Sequence, residues 1–213
     1  MVSDKEFVKK FEQKVKSTIK KFNLISPKDK ILVAVSGGKD STAALYLLKK
    51  FGYGVEAVTV DAVIGSYTKE NRKNIEKYCK ENSFIARLFN VYGKYGKSFV
   101  NTLCEKIPSG KDIIVYDDGS KTRDYIHVDD VVSALLLGLE HNGIYNVGTG
   151  KETSVMDLIK VVEKMIDKKA IIRFAPENKS EIKNSRADIT KIRKLGWGPK
   201  ITLEEGIRRI LMV

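Results

Sequence analysis

The chain has 213 residues and a net charge of +12, from 39 basic and 27 acidic residues. Apolar residues make up 42% of it, enough for an ordinary core, and no run approaches the ~18 apolar residues of a membrane span. The charged N-terminus lacks a secretory apolar region, and only two cysteines occur, Cys79 and Cys104. We therefore expect a cytoplasmic protein without a disulfide framework, a four-cysteine centre or any other metal site.

The excess of basic residues suits binding to nucleic acid, and it suits a lysine-rich solvated surface equally well. Residues 4–22 predict a basic amphipathic helix, since apolar residues recur every four positions, with lysines between them. Its apolar face would pack beside a sheet, and its lysines could touch tRNA phosphates. We therefore expect tRNA as a partner through this basic surface and leave the oligomeric state open.

A buried strand followed by a glycine turn dominates the first part of the chain. Five apolar residues, 31–35, lead into Ser36-Gly37-Gly38-Lys39-Asp40-Ser41 and then an apolar helix. A helix N-terminus favours an anion, and glycines let backbone approach phosphate oxygens. The spacing differs from a Walker A loop and lacks the third glycine of a dinucleotide fingerprint.

This run resembles the PP-loop of ATP pyrophosphatases, which adenylate a substrate oxygen and release pyrophosphate. More widely, residues 5–82 resemble archaeal-type tRNA 2-thiouridine synthetases of that class, whose cysteine pair is missing here. The resemblance implies ATP with Mg²⁺, and the alternative is an incidental glycine turn. Cys79 and Cys104 stand alone and are interpreted as small buried hydrophobes. The expected ATP-binding residues are Ser36, Gly37, Gly38, Lys39, Asp40, Ser41 and Asp61, the last of which follows a second buried strand.

A different set of motifs begins near residue 84. It comprises Ile85–Gly93, Thr122-Arg123-Asp124-Tyr125-Ile126-His127-Val128, Tyr145–Gly150, Ala187-Asp188 and Leu195-Gly196-Trp197. In this order the motifs resemble the C-terminal part of the extended short-chain dehydrogenase/reductase family, above all NAD-dependent nucleotide-sugar epimerases and dehydratases. The resemblance covers residues 84–210 and implies that Arg123 reaches the diphosphate of a nucleotide sugar and that Asn90 lines the substrate cleft. The place of the family's second phosphate-binding arginine falls on Asn178.

We expect the catalytic motifs of that second family to be missing. No glycine fingerprint follows a first strand, and we expect no Tyr-x-x-x-Lys pair, because Tyr67 is followed four positions later by Asn71. We therefore expect that NAD is not a cofactor, and we leave the catalytic residues unassigned. His127 and His141 are interpreted as structural.

The predicted fold is α/β: a doubly wound, mostly parallel sheet with helices on both faces, joining Rossmann-like and PP-loop-like halves. Residues 1–83 form the ATP-binding half and residues 84–213 the epimerase-like half, and the absence of a linker at Ser83 predicts one continuous unit. An engineered or recombined chimera and a natural fusion both fit, and the missing linker favours the chimera. The predicted strands are Ile31–Val35, Val55–Val60, Ile85–Asn90, Ile113–Tyr116 and Tyr145–Val147.

Three functions compete at this point. The first is ATP binding, which the intact loop favours, with an ancestry in tRNA thiolation and little turnover. If such a protein is active, we expect it to be an ATP pyrophosphatase that adenylates its substrate. The second is nucleotide-sugar binding, or an enzyme of the epimerase/dehydratase type. The third is a folded scaffold without activity, which the missing catalytic motifs favour.

Overall fold

The computed structural model describes residues 4–35, 39–61, 83–176 and 182–212. The chain divides into two compact units. Unit 1 comprises Met1–Ile85 with Gly138–Gly143, and unit 2 comprises Ala86–Leu137 with Ile144–Val213.

Unit 1 begins with α1 (Asp4–Lys21), followed by β1 (Ile31–Ala34), α2 (Lys39–Lys50) and β2 (Val55–Asp61). Strands β1 and β2 are parallel, with Ile31 opposite Val55, so β1, α2 and β2 form a strand–helix–strand unit. Apolar residues at alternate strand positions and on one face of α2 make its core. These buried residues are Val35, Leu45, Val55 and Ala57.

The apolar stripe of α1 is largely exposed. Ile19 near the end of the helix is buried, whereas Phe7 and Phe11 are exposed and stack on each other with ring centroids 6.3 Å apart. The expectation that the apolar face packs beside a sheet was therefore wrong for Phe7 and Phe11. The helix is attached to α2 by an ion pair between Lys50 Nζ and Glu12 Oε1 at 2.6 Å.

The strands after residue 82 are β3 (Ser83–Leu88), β4 (Asn90–Tyr92), β5 (Asp112–Tyr116), β6 (Thr122–Arg123), β7 (Tyr125–His127), β8 (Gly143–Val147), β9 (Thr153–Ser154) and β10 (Ile171–Ala175). One sheet has the order β1, β2, β3, β8, and three two-stranded pairs accompany it: β10 with β5, β4 with β7, and β6 with β9. Of the ladders with a described register, only β6 with β9 is antiparallel. The α/β class with a mostly parallel sheet is confirmed.

Two strand predictions were wrong in detail. The predicted strand Ile85–Asn90 is interrupted at Phe89, because the N–H of Phe89 donates to Val147 O while that of Asn90 donates to Asp124 O. The predicted strand Ile113–Tyr116 exists but lies outside the four-stranded sheet, since β5 pairs with β10 instead. Both differences concern which distant segment a strand pairs with, and the local residue pattern does not determine that partner.

The helices of unit 2 are α3 (Phe99–Lys106), α4 (Val128–Leu137), α5 (Val155–Ile166), α6 (Thr190–Arg193) and α7 (Leu203–Leu211). Helices α3, α5 and α7 pack against one another around an apolar core. A hydroxyl cap begins each of the three and accepts a backbone N–H three residues on; the caps are Ser98, Ser154 and Thr202.

Tyr92, at the end of β4, packs directly on α7. It is 2% exposed, and a Cβ added at Gly206 would lie 2.2 Å from its hydroxyl oxygen and 2.7 Å from two ring carbons. Glycine at 206 therefore lets the helix backbone approach the ring more closely than any other residue would allow.

None of the helices in the described segments is long and apolar enough to cross a bilayer. A cytoplasmic location stays a prediction.

Gly206→Ala tests this close approach. Alanine in a helix normally stabilises relative to glycine, but here we expect a net loss of about 1–3 kcal/mol from overpacking against Tyr92. Chemical denaturation measures the change. The control is Gly198→Ala, where an added Cβ meets nothing within 4 Å. Adding Tyr92→Phe to Gly206→Ala should recover part of the loss, and an unchanged midpoint in Gly206→Ala would contradict the packing argument.

Candidate functional site

A fully buried carboxylate, Asp124, holds the motif segments of unit 2 together. Its Oδ1 accepts the N–H of Thr149 at 2.8 Å and the hydroxyl of Thr149 at 2.6 Å. Its Oδ2 accepts the N–H of Gly150 at 2.8 Å and that of Ala187 at 3.1 Å. Four donors thus satisfy a side chain with 0% exposure, as a buried charge requires. The loop 148–150 and the segment at 187 are fixed relative to Asp124, which lies between β6 and β7.

Arg123 immediately precedes this carboxylate, at the end of β6. It is half-buried, and its Nη1 donates to the carbonyl of Thr122 at 2.8 Å and to that of Lys183 at 3.4 Å. Strand β6 is itself held from two sides, by β9 and by backbone hydrogen bonds between Thr122 and the residues at 183 and 185. The guanidinium is therefore anchored at its base. A guanidinium carries five N–H donors in a fork that matches phosphate oxygens.

Asn90 lies in the same neighbourhood. It is exposed, pairs with Tyr125 in the β4–β7 ladder, and donates its N–H to the carbonyl of Asp124 at 2.9 Å. The backbones of Asn90 and Arg123, the two residues expected at a nucleotide-sugar site, therefore both adjoin Asp124.

His127, at the end of β7, is buried with 4% exposure. Its Nδ1 accepts the N–H of Asp129 at 3.2 Å, and its ring meets Tyr92 edge-on at 5.4 Å. Nδ1 is thus an acceptor, so the neutral ring carries its proton on Nε2. Burial lowers the pKa of His127 below 6.5 and outweighs the nearby Asp129 carboxylate. These contacts hold the His127 ring in the interior of unit 2.

Acidic residues at the start of a helix commonly cap it, and Asp129 and Asp130 open α4. The carboxylate of Asp130 instead accepts the N–H groups of Lys200 and Ile201, each at 3.0 Å, and is buried. That of Asp129 pairs with Arg209 at 2.9 Å. The backbone N–H groups of residues 200 and 201 need acceptors within the fold, and this requirement outweighs the preference for an acidic side chain to cap its own helix.

Of the predicted ATP-binding residues, Ser36, Gly37 and Gly38 lie outside the described residues. Lys39, Asp40 and Ser41 form the first turn of α2, and Asp61 ends β2. Asn178 and Cys79 are also outside the described residues, whereas Cys104 is buried as expected, and burial raises the pKa of its thiol to about 11. Among the described residues, no group of His, Cys, Asp and Glu is arranged to hold a metal ion.

The expectation of no Tyr-x-x-x-Lys pair was wrong, because Tyr46 and Lys50 have this spacing on α2. Tyr46 is 56% exposed, and Lys50 Nζ lies 5.5 Å from its ring centroid. Hydrogen bonds to Glu12 and then to Tyr46 raise the pKa of Lys50. Scanning the sequence for the spacing alone would have found the pair. In the structure Lys50 forms an ion pair with Glu12.

Comparison with known proteins places the chain near sugar-nucleotide enzymes. Residues 51–148 match the model of the NAD dependent epimerase/dehydratase family. A putative UDP-glucose 4-epimerase of Methanocaldococcus jannaschii is 31% identical over 189 residues, which cover 86% of this chain and 62% of that protein. The UDP-glucose 4-epimerase of Thermotoga maritima, solved with UDP-glucose, is 26% identical with a TM-score of 0.71, covering 80% of this chain and 67% of that one. The chain spans less than two thirds of the length of these curated relatives, 62% of one and 40% of another.

A further similarity concerns the other expected family. A tRNA-5-methyluridine(54) 2-sulfurtransferase of Pyrococcus horikoshii is 34% identical over 149 residues, covering 65% of this chain and 48% of that protein. The resemblance to epimerases and dehydratases is supported. The joining of two families in one chain is not established by this similarity and stays a proposal.

These findings correct the functional expectations. ATP binding through a PP-loop as the main function was wrong, and so were ATP with Mg²⁺ as cofactors and ATP and tRNA as partners, because the family match and the structural likeness both indicate NAD-dependent sugar-nucleotide proteins. The expectation that NAD is not a cofactor was wrong for the same reason. The segment from Ser36 to Ser41 matches a phosphate-loop pattern, but such a local pattern does not determine which phosphate compound is bound.

Asp124→Asn tests the buried carboxylate. The amide has one acceptor oxygen in place of two, so at least one backbone N–H loses its partner, and we expect a loss of about 1–3 kcal/mol for each such donor. Thr149→Val removes one donor, leaves the carboxylate in place and should cost less. Denaturant midpoints of both variants give the ranking; a smaller effect for Asp124→Asn than for Thr149→Val would contradict it.

Stability should also depend on His127 at mildly acidic pH. Because its pKa in the folded protein lies below 6.5, the unfolded chain binds the proton first, and stability present above pH ~6.5 is lost as the pH falls. We expect the denaturation midpoint to decrease between pH 7 and pH 5, and to decrease less in His127→Gln. The matched control is His141→Gln, which should keep the wild-type slope, whereas equal slopes in wild type and His127→Gln would refute this assignment.

Proposed function

We propose that the protein binds a nucleotide sugar through unit 2, with Arg123 and Asn90 at the site, and works in chemistry of the NAD-dependent epimerase/dehydratase type. The observation that carries the proposal is the Asp124 cluster. One buried carboxylate ties the loop 148–150 and the segment at Ala187 to the strand that ends in Arg123. The motif segments of the family resemblance therefore converge on one place.

In this proposal Arg123 binds the diphosphate. Its Nη1 is anchored on the carbonyls of Thr122 and Lys183, so the fork is oriented before the ligand arrives and loses little freedom on binding. Asn90, exposed at the start of β4, supplies an amide that can both donate to and accept from sugar hydroxyls. Asp124 acts through the backbone and stays away from the ligand.

Unit 1 has the topology to hold the dinucleotide. Its parallel strands β1 and β2 flank α2, and the N-terminus of such a helix suits a pyrophosphate. Asp61 ends β2, at the place where dinucleotide folds put the carboxylate that binds ribose hydroxyls. NAD, when bound, supplies hydride transfer; the glycines that precede α2 are spaced differently from the usual fingerprint.

Titration calorimetry with UDP-glucose tests the site. We expect Arg123→Lys to weaken binding about tenfold or more, because lysine keeps the charge and loses the fork, and charge-assisted hydrogen bonds contribute about 1.5–3 kcal/mol each. Binding of uridine, which lacks phosphate, should be the same in both proteins.

The control is Arg208→Gln, which removes an exposed charge on α7 and should bind UDP-glucose like wild type. Parallel melting with excess NAD should raise the unfolding temperature. Equal UDP-glucose affinity in wild type and Arg123→Lys would overturn the site, and absence of binding to any UDP-sugar would overturn the function.

A further inference from the structure

Unit 2 has a second surface lined by arginines, which includes neither Arg123 nor Asn90. It is an open groove of about 360 Å³ lined by Gly150, residues 186–190 and Arg193. We refer to it as the Arg186–Arg193 groove. Arg123 is not among its lining residues.

The floor of the groove is fixed by hydrogen bonds. The N–H groups of Gly150 and Ala187 both donate to Asp124 Oδ2, and the side chains of Ala187 and Ile189 are buried. Gly150 also has a φ of +75°, which residues other than glycine rarely adopt. Gly150 and Ala187 in the floor of the groove are therefore both tied to Asp124.

The two arginine side chains are exposed, and within the described residues neither makes a hydrogen bond or an ion pair closer than 4 Å. The groove contains one carboxylate, Asp188, whose Oδ1 accepts the N–H of Thr190 at 3.0 Å. Hydrogen bonds from Thr190, with a smaller contribution from the charge of Arg186, lower the pKa of Asp188. The three charged groups of the groove therefore sum to +1.

The neighbouring lysine does not contribute to the groove. Lys191, on the short helix α6, donates its Nζ to the carbonyl of Ile144 and lies over the ring of Tyr145. The two cationic residues that line the groove are thus Arg186 and Arg193. Guanidinium forks match phosphate oxygens in pairs.

We propose that the Arg186–Arg193 groove binds a phosphate group. The group is either free inorganic phosphate or the terminal phosphate of an ester such as a nucleoside monophosphate, since both present the same oxygens to the two forks. The proposal does not depend on nucleotide-sugar binding at Arg123.

Site-resolved NMR separates this groove from Arg123. In wild type, added inorganic phosphate at constant ionic strength should shift the amide signals of Ile189 and Thr190 saturably. Arg186→Gln with Arg193→Gln should weaken this titration about tenfold or more, from the loss of charge-assisted hydrogen bonds. Both side chains are exposed, so the double variant should unfold at the wild-type temperature, and single variants provide the comparison if it does not.

The matched control is Arg208→Gln with Lys111→Gln, which removes two exposed positive charges of unit 2 outside the groove. This control should titrate like wild type. Titration with uridine monophosphate distinguishes the sources: tighter binding than inorganic phosphate assigns an ester, and equal or weaker binding assigns the free anion. Absence of shifts at Ile189 and Thr190, or equal weakening in control and groove variants, would overturn the proposal whatever happens at Arg123.

Discussion

The arrangement of unit 2 depends on one buried negative charge. Asp124 has no exposed surface, and its four hydrogen-bond donors are three backbone N–H groups and one hydroxyl. A carboxylate transferred from water without such donors would carry a large penalty. The loop 148–150 and the segment at Ala187, far apart in sequence, must therefore meet at this side chain. Both proposed binding surfaces of unit 2 adjoin the backbone that it fixes.

Glycine at 148 is the steric counterpart of that electrostatic constraint. A Cβ at this position would lie 2.5 Å from the Cβ of Ala187 and 2.9 Å from Asp124 Oδ2. Any larger residue would push the loop away from the carboxylate and separate the donors at Thr149 and Gly150 from their acceptor. The hydrogen bonds from loop 148–150 to Asp124 therefore need both a glycine at 148 and the carboxylate at 124.

Local pattern predicted the elements better than their partners. The predicted strands Ile31–Val35 and Tyr145–Val147 correspond to β1 and β8 and follow from runs of apolar residues. The break at Phe89 does not, because it arises where the chain changes from Val147 to Asp124 as hydrogen-bond partner. Arg123 and Asn90 could be selected from a resemblance. The Arg186–Arg193 groove could not, since Gly150 and Ala187, which both line it, are far apart in sequence and meet only through Asp124.

The charges of unit 2 divide into two kinds. The carboxylates of Asp124 and Asp130 are buried and accept backbone N–H groups, whereas ion pairs such as Lys160 with Asp157 are exposed and contribute little to stability. Within the described residues, neither of these two buried carboxylates forms an ion pair with an arginine. Some surface guanidinium groups are paired, such as that of Arg209 with Asp129, whereas those of Arg186 and Arg193 form no ion pair within the described residues. In a chain of net charge +12 the surplus of positive charge favours phosphate-bearing ligands over cationic or neutral ones.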